Sequence, residues 1–146
     1  MIRRGNDPYK GTLTVPGGKK ERGESFIEAC SREVREETGL FLDGVRTRGI
    51  AHIVQGENGK EVVAVYCDAH GFHGELHPSN EGSLVWVSID ESSKIPGINP
   101  FFVKVAPFIF GDTTFFATIF VDERGEIIRD SFVPLGSNGN CGYRQE

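Results

Sequence analysis

The stretch that decides the fold is GGKKERGESFIEACSREVREETGL, which runs from Gly17 to Leu40. Ser25 followed three residues later by Glu28 is the pattern of a capping box, in which two side chains bind the free amides at a helix start. Strong helix formers continue to Thr38, and Gly39 can adopt the left-handed conformation that ends many helices. The sequence predicts a helix from Ser25 to Thr38 that follows a glycine-rich loop.

The predicted helix carries three carboxylates on one face. Glu36 and Glu37 lie within roughly 60° of Glu33, one on either side, when residues are placed at about 100° intervals around a helix. Like charges at these spacings cost only about 0.2–0.5 kcal/mol per pair, so a solvated face explains the cluster as readily as a ligand site does. A neighbouring face is predicted to pack on a sheet; its residues are Ile27, Cys30, Val34 and Thr38.

The loop beside the acidic face favours a ligand site. A hard cation such as Mg²⁺ binds carboxylate oxygens together with water and substrate phosphates. Gly17, Gly18 and Gly23 allow close approach of the backbone, and the Gly18 carbonyl can supply a further oxygen. Divalent ions bound there would neutralise a polyphosphate and activate water. Loop and helix together indicate metal-assisted phosphate chemistry.

The composition is that of one soluble domain. The chain has 146 residues, of which 38% are hydrophobic and 25% charged, and its net charge is -5. We expect one domain over residues 1–135 and a disordered tail over 136–146. The negative charge argues against nucleic acid as a partner, and no apolar run approaches the roughly 20 residues of a membrane span. Three widely spaced cysteines fit reduced thiols in a cytoplasmic protein.

The remaining patterns predict antiparallel strands interrupted by two helices, an α/β fold of the mixed α+β kind. Asn58-Gly59 predicts a hairpin between two runs of β-branched and aromatic residues. Asn99-Pro100 predicts the start of the second helix, which Pro107 should kink or shorten. The strands are predicted within residues 11–18, 45–55, 60–72, 83–89, 113–121 and 126–132, and a short helix is predicted within 89–95.

The spacing of these residues resembles the signature of the Nudix hydrolase family, GX5EX7REUXEEXGU. Every fixed position is matched, by Gly18, Glu24, Arg32-Glu33-Val34, Glu36-Glu37 and Gly39-Leu40. The resemblance implies an αβα sandwich. It also implies that the usual first N-terminal strand is lacking, because family members carry a strand and turn before the segment that resembles MIRRGNDPYKG. The Phe-rich C-terminal third resembles the 8-oxo-purine nucleoside triphosphate diphosphatase branch.

The resemblance assigns roles to particular residues. It implies that Mg²⁺, or Mn²⁺ in its place, is bound by the carboxylates and one carbonyl of Glu33, Glu36, Glu37, Glu81 and Gly18. It implies catalytic roles for Arg32, Glu33, Glu36 and Glu37, with Glu33 a candidate general base and with Arg32 and Glu24 orienting the helix. Arg3, Arg4 and Lys19 are placed to contact phosphates, although Arg3 and Arg4 fit a polar chain end equally well. The family reaction hydrolyses a nucleoside diphosphate linked to a group X.

Substrate choice rests on weaker patterns. The proline typical of ADP-ribose hydrolases and the tyrosine of dinucleoside polyphosphate hydrolases are missing, which leaves nucleoside triphosphates, with oxidised purine nucleotides as a candidate class. Thr14 stands where the 8-oxo-purine enzymes read the base, but the segment PGIN lacks their pair of acids. Asn99 is a candidate base contact, and Trp86, Phe101 and Phe102 fit an aromatic pocket or an ordinary core equally well.

Two other functions use the same fold. A nucleotide-binding regulatory domain without catalysis is one alternative, although such domains usually have eroded signatures and this one is intact. An isomerase of isoprenoid diphosphates would need a catalytic cysteine, for which Cys67 is the candidate. In each case the expected partner is a small phosphorylated molecule, with neither nucleic acid nor membrane, and both a monomer and a homodimer remain open.

Overall fold

The computed structural model describes residues 1–6, 9–56, 59–77 and 79–135. Within these residues the chain forms nine strands, two α-helices and one short 3-10 turn, and none of the helices is long and apolar enough to cross a membrane. The predicted tail at 136–146 and Asn58 of the predicted hairpin turn lie outside the described residues. The chain divides into two compact units, Met1–Arg46 with Cys67–Pro107, and Thr47–Tyr66 with the described residues from Phe108 onward.

The first unit contains two small antiparallel sheets and the helix that follows the glycine loop. In the three-stranded sheet β1 (Ile2–Arg4) lies between two partners, β2 (Leu13–Thr14) and β7 (Gly82–Leu84). In the two-stranded sheet β3 (Phe41–Asp43) pairs with β6 (Gly71–His73). Helix α1 (Phe26–Thr38) leads directly into β3, and helix α2 (Pro100–Ile109) follows the 3-10 turn at Ile89–Glu91.

The second unit is built on a four-stranded mixed sheet. Its strands are β4 (Arg46–Gln55), β5 (Glu61–Asp68), β8 (Thr114–Val121) and β9 (Ile127–Leu135), in the order β5-β4-β8-β9. The first residue of β4 and the last two residues of β5 belong to the first unit. Strands β4 and β8 are parallel and β8 and β9 antiparallel. Phe115 is fully buried, and a Cβ on Gly49 would come within 2.3 Å of its ring. Glycine on β4 therefore makes room for the largest side chain of this core.

The structure confirms the mixed α+β class and changes several element boundaries. The predicted strand over residues 60–72 is two strands, β5 and β6, which pair with different partners. The strand predicted near residue 83 ends at Leu84, and the strand predicted after Gly11 is reduced to Leu13–Thr14. Pro107 lies inside α2, which ends at Ile109. The observed strands are shorter because a strand extends only where it has a hydrogen-bonded partner, and the local sequence pattern does not specify that partner.

Candidate active site

Helix α1 begins and ends where the sequence predicts. Ser25 Oγ accepts the N–H of Glu28 at 3.2 Å, and the Glu28 carboxylate accepts the N–H of Ser25 at 2.6 Å, which closes the capping box. Gly39 has a φ of 78° and donates its N–H to the Arg35 carbonyl at 2.8 Å. Because both ends are fixed by local contacts, the side chains between them project from a defined helical frame.

The Glu33 carboxylate lies directly against Gly18. A Cβ built on Gly18 would come within 2.4 Å of the carboxylate carbon and of both its oxygens, far closer than the roughly 3.5–4.0 Å of ordinary contact. Close approach, rather than a left-handed backbone, is what requires glycine at this position. The contact joins the loop to the acidic face of α1.

If the chain catalyses the hydrolysis that the sequence resemblance implies, Gly18→Ala is expected to lower its kcat/KM by about tenfold to a hundredfold, because the new methyl group displaces the Glu33 carboxylate by about 1 Å or more. The thermal midpoint should change little, since the displaced atoms are the end of a flexible side chain. Gly17→Ala is the matched control, because a Cβ there meets nothing within 4 Å. Steady-state kinetics and thermal unfolding of both variants test this, and equal kcat/KM values for the two would contradict it.

Arg32 is the centre of the hydrogen-bond network beside the loop. Its Nη1 donates to Glu33 Oε1 at 2.9 Å and to Glu36 Oε2 at 3.1 Å, so the guanidinium lies between two carboxylates of the acidic face. Its Nε and Nη2 donate to the two oxygens of Glu24 at 3.1 and 2.9 Å, and Nη2 also donates to the Lys19 carbonyl at 3.0 Å. One side chain therefore ties the loop to the helix.

Glu24 is the fixed end of this network. Its carboxylate accepts both Arg32 donors and the backbone N–H of Glu21. The Arg32 hydrogen bond first, and the Glu21 N–H second, hold the pKa of Glu24 down at about 2. The same contacts, with Glu24 as the largest cause, raise the pKa of Arg32 above its ordinary value. The pair stays charged, which preserves the bidentate geometry.

Glu37 differs from the other two carboxylates because it is buried, with 9% of its surface exposed. Its Oε2 accepts the N–H of Gly17 at 3.1 Å. Burial is the main reason why the pKa of Glu37 rises to about 7, and the nearby charges of Glu33 and Glu81 raise it further, whereas the Gly17 N–H and Arg4 lower it. Ile27 was predicted to belong to the face of α1 that packs on a sheet, and this part of the prediction is wrong, because Ile27 is 42% exposed.

This burial predicts how stability depends on pH without divalent ions. The folded pKa of Glu37 lies above its unfolded value, so the stabilisation is fully present below about pH 4.5 and is lost as the pH rises towards 7, by about 2 kcal/mol after allowance for solvent screening. Glu37→Gln should remove this decline. Denaturant unfolding in EDTA at several pH values measures it, and equal pH slopes for wild type and variant would contradict it.

The candidate donor atoms suit a hard cation, but their side chains do not converge on one point as the ligands of a bound ion do. Every candidate donor is an oxygen, as Mg²⁺ prefers, and the electrostatic influence of Glu33 and Glu81 on Glu37 places negative charges near one another. In the part of the chain that the structure describes, no three His, Cys, Asp or Glu side chains are arranged to hold an ion together. Arg32 binds Glu33 and Glu36 instead, so a cation would have to compete with its guanidinium.

The predicted phosphate contacts lie in different settings. Arg3, on β1, donates from Nη1 to the Gly11 carbonyl at 3.0 Å. Arg4 is close enough to Glu37 to lower its pKa. Lys19 is exposed, and its carbonyl accepts the Arg32 hydrogen bond described above. Arg4 and Lys19 are thus tied to the acidic cluster, whereas the Arg3 contact is with the loop after β1.

The candidate base contacts Thr14 and Asn99 are brought together by the backbone. Leu13, next to Thr14 on β2, donates its N–H to Gly97 and accepts the N–H of Asn99, each at 2.8 Å. The Asn99 Oδ1 caps α2 by accepting the N–H of Phe101 at 2.9 Å, so the cap role expected from Asn99-Pro100 is filled. Two of the aromatic residues proposed for a base pocket differ in exposure. Phe102 is 2% exposed, whereas Trp86 is 63% exposed and stacks on Phe72.

Sequence reasoning missed two features near this site. The burial of Glu37 depends on how α1 packs, and the helical wheel placed this residue on the free face. Tyr9, in the loop after β1, has a φ of 66°, which is unusual for a residue other than glycine; its ring meets that of Phe101 edge-on, with centroids 5.9 Å apart. The only sign of this ring contact in the sequence is the aromatic residue itself, Tyr9, which stands between Pro8 and Gly11.

Comparisons with known proteins agree with this geometry. A family model described as the NUDIX domain matches residues 1–109. The uncharacterized Nudix hydrolase YvcI of Bacillus subtilis is 30% identical over 94 residues, which are 61% of this chain and 59% of that protein. An ADP-ribose pyrophosphatase of Methanocaldococcus jannaschii is 52% identical over 41 residues, 28% of this chain and 24% of that protein. The chain thus spans about three fifths or less of these relatives.

Solved structures support the same fold. A MutT protein from Bacillus halodurans superposes with a TM-score of 0.78 at 27% identity, covering 90% of this chain and 86% of that one. A MutT NUDIX hydrolase from Burkholderia pseudomallei gives a TM-score of 0.64 at 26% identity, covering 74% and 84%. Since the family model covers well over half of its residues, the chain belongs to the Nudix family.

Proposed function

We propose that this domain is a Mg²⁺-dependent nucleoside triphosphate pyrophosphohydrolase. It cleaves a nucleoside diphosphate linked to a group X, and from a triphosphate it releases a nucleoside monophosphate and pyrophosphate. The observation that carries the proposal is the contact of the Glu33 carboxylate with Gly18. This contact packs the glycine-rich loop against helix α1, which carries Glu36 and Glu37 one turn further on.

The ion would be held by Glu33, Glu36 and Glu37, with the Gly18 carbonyl and Glu81 as further donors; Mn²⁺ suits the same oxygens. When bound, the ion neutralises the diphosphate and lowers the pKa of water. The chain's own contribution is to hold these donors in place. Arg32 fixes Glu33 and Glu36 from one side and Glu24 from the other, so the loop and helix keep their spacing.

Two residues are candidates for the general base. Glu33 lies at the loop contact and has a side chain that is 16% exposed. Glu37 has a pKa of about 7, which is close to the value that suits proton transfer at neutral pH. We assign the base role to Glu33, because a Glu37 held by burial and by the Gly17 N–H is better placed as a ligand.

Oxidised purine nucleoside triphosphates are the proposed substrate class. The N–H of Asn99 donates to the carbonyl of Leu13, the neighbour of Thr14, and a few polar groups of this kind can fix the orientation of a base in a pocket. The relatives' names point to related compounds: an ADP-ribose pyrophosphatase and the 8-oxo-dGDP phosphatase NUDT18 of Mus musculus, 42% identical over 45 residues, 31% of this chain and 14% of that protein. Arg4 and Lys19 are the proposed contacts for the phosphates.

A substrate screen tests the proposal. The protein is incubated with Mg²⁺ and normal or oxidised nucleoside triphosphates, 8-oxo-dGDP or ADP-ribose, and monophosphate and pyrophosphate or phosphate are measured. We expect triphosphates to yield pyrophosphate, with oxidised purines turned over fastest, and EDTA to stop the reaction. Faster turnover of ADP-ribose would overturn the substrate class, and binding of nucleotides without any turnover would support the regulatory alternative.

A further inference from the structure

Two cysteines that are far apart in the sequence meet in the first unit. Cys30 lies on α1 and Cys67 near the end of β5, and both are reduced and half-buried. They are close enough for the Cys30 thiol to hydrogen bond with Cys67. The distances along the chain gave no reason to pair them, so this juxtaposition is a product of the fold.

The pairing of two strands explains why the thiols meet. Helix α1 leads into β3 and strand β5 leads into β6, and β3 and β6 form an antiparallel ladder in which Asp43 lies opposite Gly71. The position of Cys67 is fixed further by its neighbour Asp68, which binds Arg46 through Nε at 2.7 Å and Nη2 at 3.0 Å. The ladder and the ion pair therefore fix the segment around Cys67, whose thiol meets that of Cys30 on α1.

We propose that Cys30 and Cys67 are a redox modification site that closes reversibly into an intramolecular disulfide. The oxidant is a hydroperoxide. The thiolate of one cysteine attacks the peroxide oxygen, breaking the O–O bond and leaving a sulfenic acid and an alcohol or water. The sulfur of the other cysteine then attacks the sulfenic sulfur and water leaves, so that two thiols and one hydroperoxide give one disulfide, one alcohol and one water.

The contact between the two thiols also affects the rate of the first step. The contact with Cys67, followed by burial, raises the pKa of Cys30 above its ordinary value. A raised pKa lowers the fraction of thiolate, which is the form that attacks the peroxide. Because a buried thiol is a poor nucleophile, the reaction should be slow at neutral pH and faster at higher pH, and the reduced form is the resting state in a reducing compartment.

The disulfide would act on the proposed active site, and this step rests on the proposed function. The closed loop from Cys30 to Cys67 contains Arg32, Glu33, Glu36 and Glu37. Formation of a bond of about 2.0 Å draws Cys30 on α1 towards Cys67, and a shift of about 1 Å is enough to impair an aligned active site. We expect the oxidised protein to hydrolyse nucleotides at least about tenfold more slowly, with recovery in dithiothreitol.

Peptide mass spectrometry tests disulfide formation without reference to activity. The protein is treated with hydrogen peroxide, the remaining thiols are alkylated, and trypsin is used without reduction. We expect a monomer that has lost two hydrogens and a disulfide joining the tryptic peptides 23–32 and 61–94. Cys30→Ser and Cys67→Ser should each abolish this product, whereas Cys141→Ser should keep it.

Other products overturn the proposal. These are a link to Cys141, a disulfide-linked dimer on a non-reducing gel, or sulfinic acid on either cysteine without a link between them. If the disulfide forms but activity is unchanged in a protein that does hydrolyse nucleotides, the effect on α1 is wrong. If no nucleotide is hydrolysed in either redox state, the proposed function fails while the mass result still decides the modification site.

Discussion

Glu36→Gln is expected to lower kcat/KM for nucleoside triphosphates by about three orders of magnitude, because a neutral amide is a much weaker ligand for a divalent ion than a carboxylate and the ion supplies several kcal/mol of transition-state stabilisation. Glu37→Gln should lose a similar amount. The two side chains are nearly the same size as those they replace, so the fold should survive. Initial rates of pyrophosphate release at saturating Mg²⁺ measure the effect.

The two variants should differ in stability, which separates ligand loss from unfolding. Glu36 is 53% exposed and bound only at its edge by Arg32, so Glu36→Gln should leave the thermal midpoint nearly unchanged. Glu37 is buried, and its amide replacement removes a charge that is costly to bury, so Glu37→Gln should be as stable as wild type or more stable at neutral pH without divalent ions. Loss of activity with lower stability in both variants would point to misfolding.

Glu21→Gln is the control, because it removes one exposed negative charge from the loop next to Glu24. Its kcat/KM should stay within about twofold of wild type, since screened surface charges contribute little. Retention of more than a tenth of wild-type activity in Glu36→Gln and in Glu37→Gln would sink the metal-ligand assignment. Nucleotide binding by isothermal calorimetry shows whether the substrate still reaches the site.

The parts of the fold that are encoded locally could be predicted from the sequence. Helix α1 was predicted within one residue at its start, because its cap, its Gly39 terminus and its composition all lie within the same stretch. The helix start at Asn99-Pro100 is confirmed for the same reason. In the second unit, strands β4 and β5 are neighbours in the sheet, as expected.

Pairings between distant segments could not be predicted. Strands β4 and β8 are parallel neighbours from Gly49 opposite Phe115 to Gln55 opposite Val121, and nothing in either strand's own pattern selects the other. The division of residues 60–72 into β5 and β6 has the same origin, because β6 is defined by its ladder with β3. Ladders of this kind depend on closing long loops of chain, which local propensity does not describe.

Some features of the candidate site could likewise be predicted from the sequence, and others could not. Spacing identified the acidic residues of α1 and the glycine that meets Glu33, and the structure places Glu33 against Gly18. Spacing did not reveal that Arg32 donates to Glu33 and Glu36 at once, because the choice among rotamers of a long side chain depends on the loop at Glu24. The guanidinium of Arg32 therefore lies between two carboxylates of the acidic face.

Arg32→Lys is expected to lower kcat/KM by about a hundredfold, because an ammonium group cannot reproduce the fork that binds Glu24 through two nitrogens while a third holds Glu33 and Glu36. A second readout is independent of turnover. Without the Arg32 donors, the pKa of Glu24 should rise from about 2 towards its ordinary value, which NMR titration of the carboxylate carbon measures. Arg35→Lys, an exposed change on the same helix, is the control and should alter neither quantity.

The pH dependence of unfolding shows whether the contact between Arg32 and Glu24 stabilises the folded protein. The folded pKa of Glu24 is depressed, so its stabilisation is present above the unfolded value near pH 4.5 and is lost as the pH falls towards 2. Arg32→Lys should lose part of this stabilisation at neutral pH and therefore show a shallower decline in acid. If kcat falls with an unchanged Glu24 pKa, Arg32 acts on the substrate itself. If the Glu24 pKa rises and kcat/KM does not fall, the network stabilises the loop without aligning Glu33, and its positioning role is refuted.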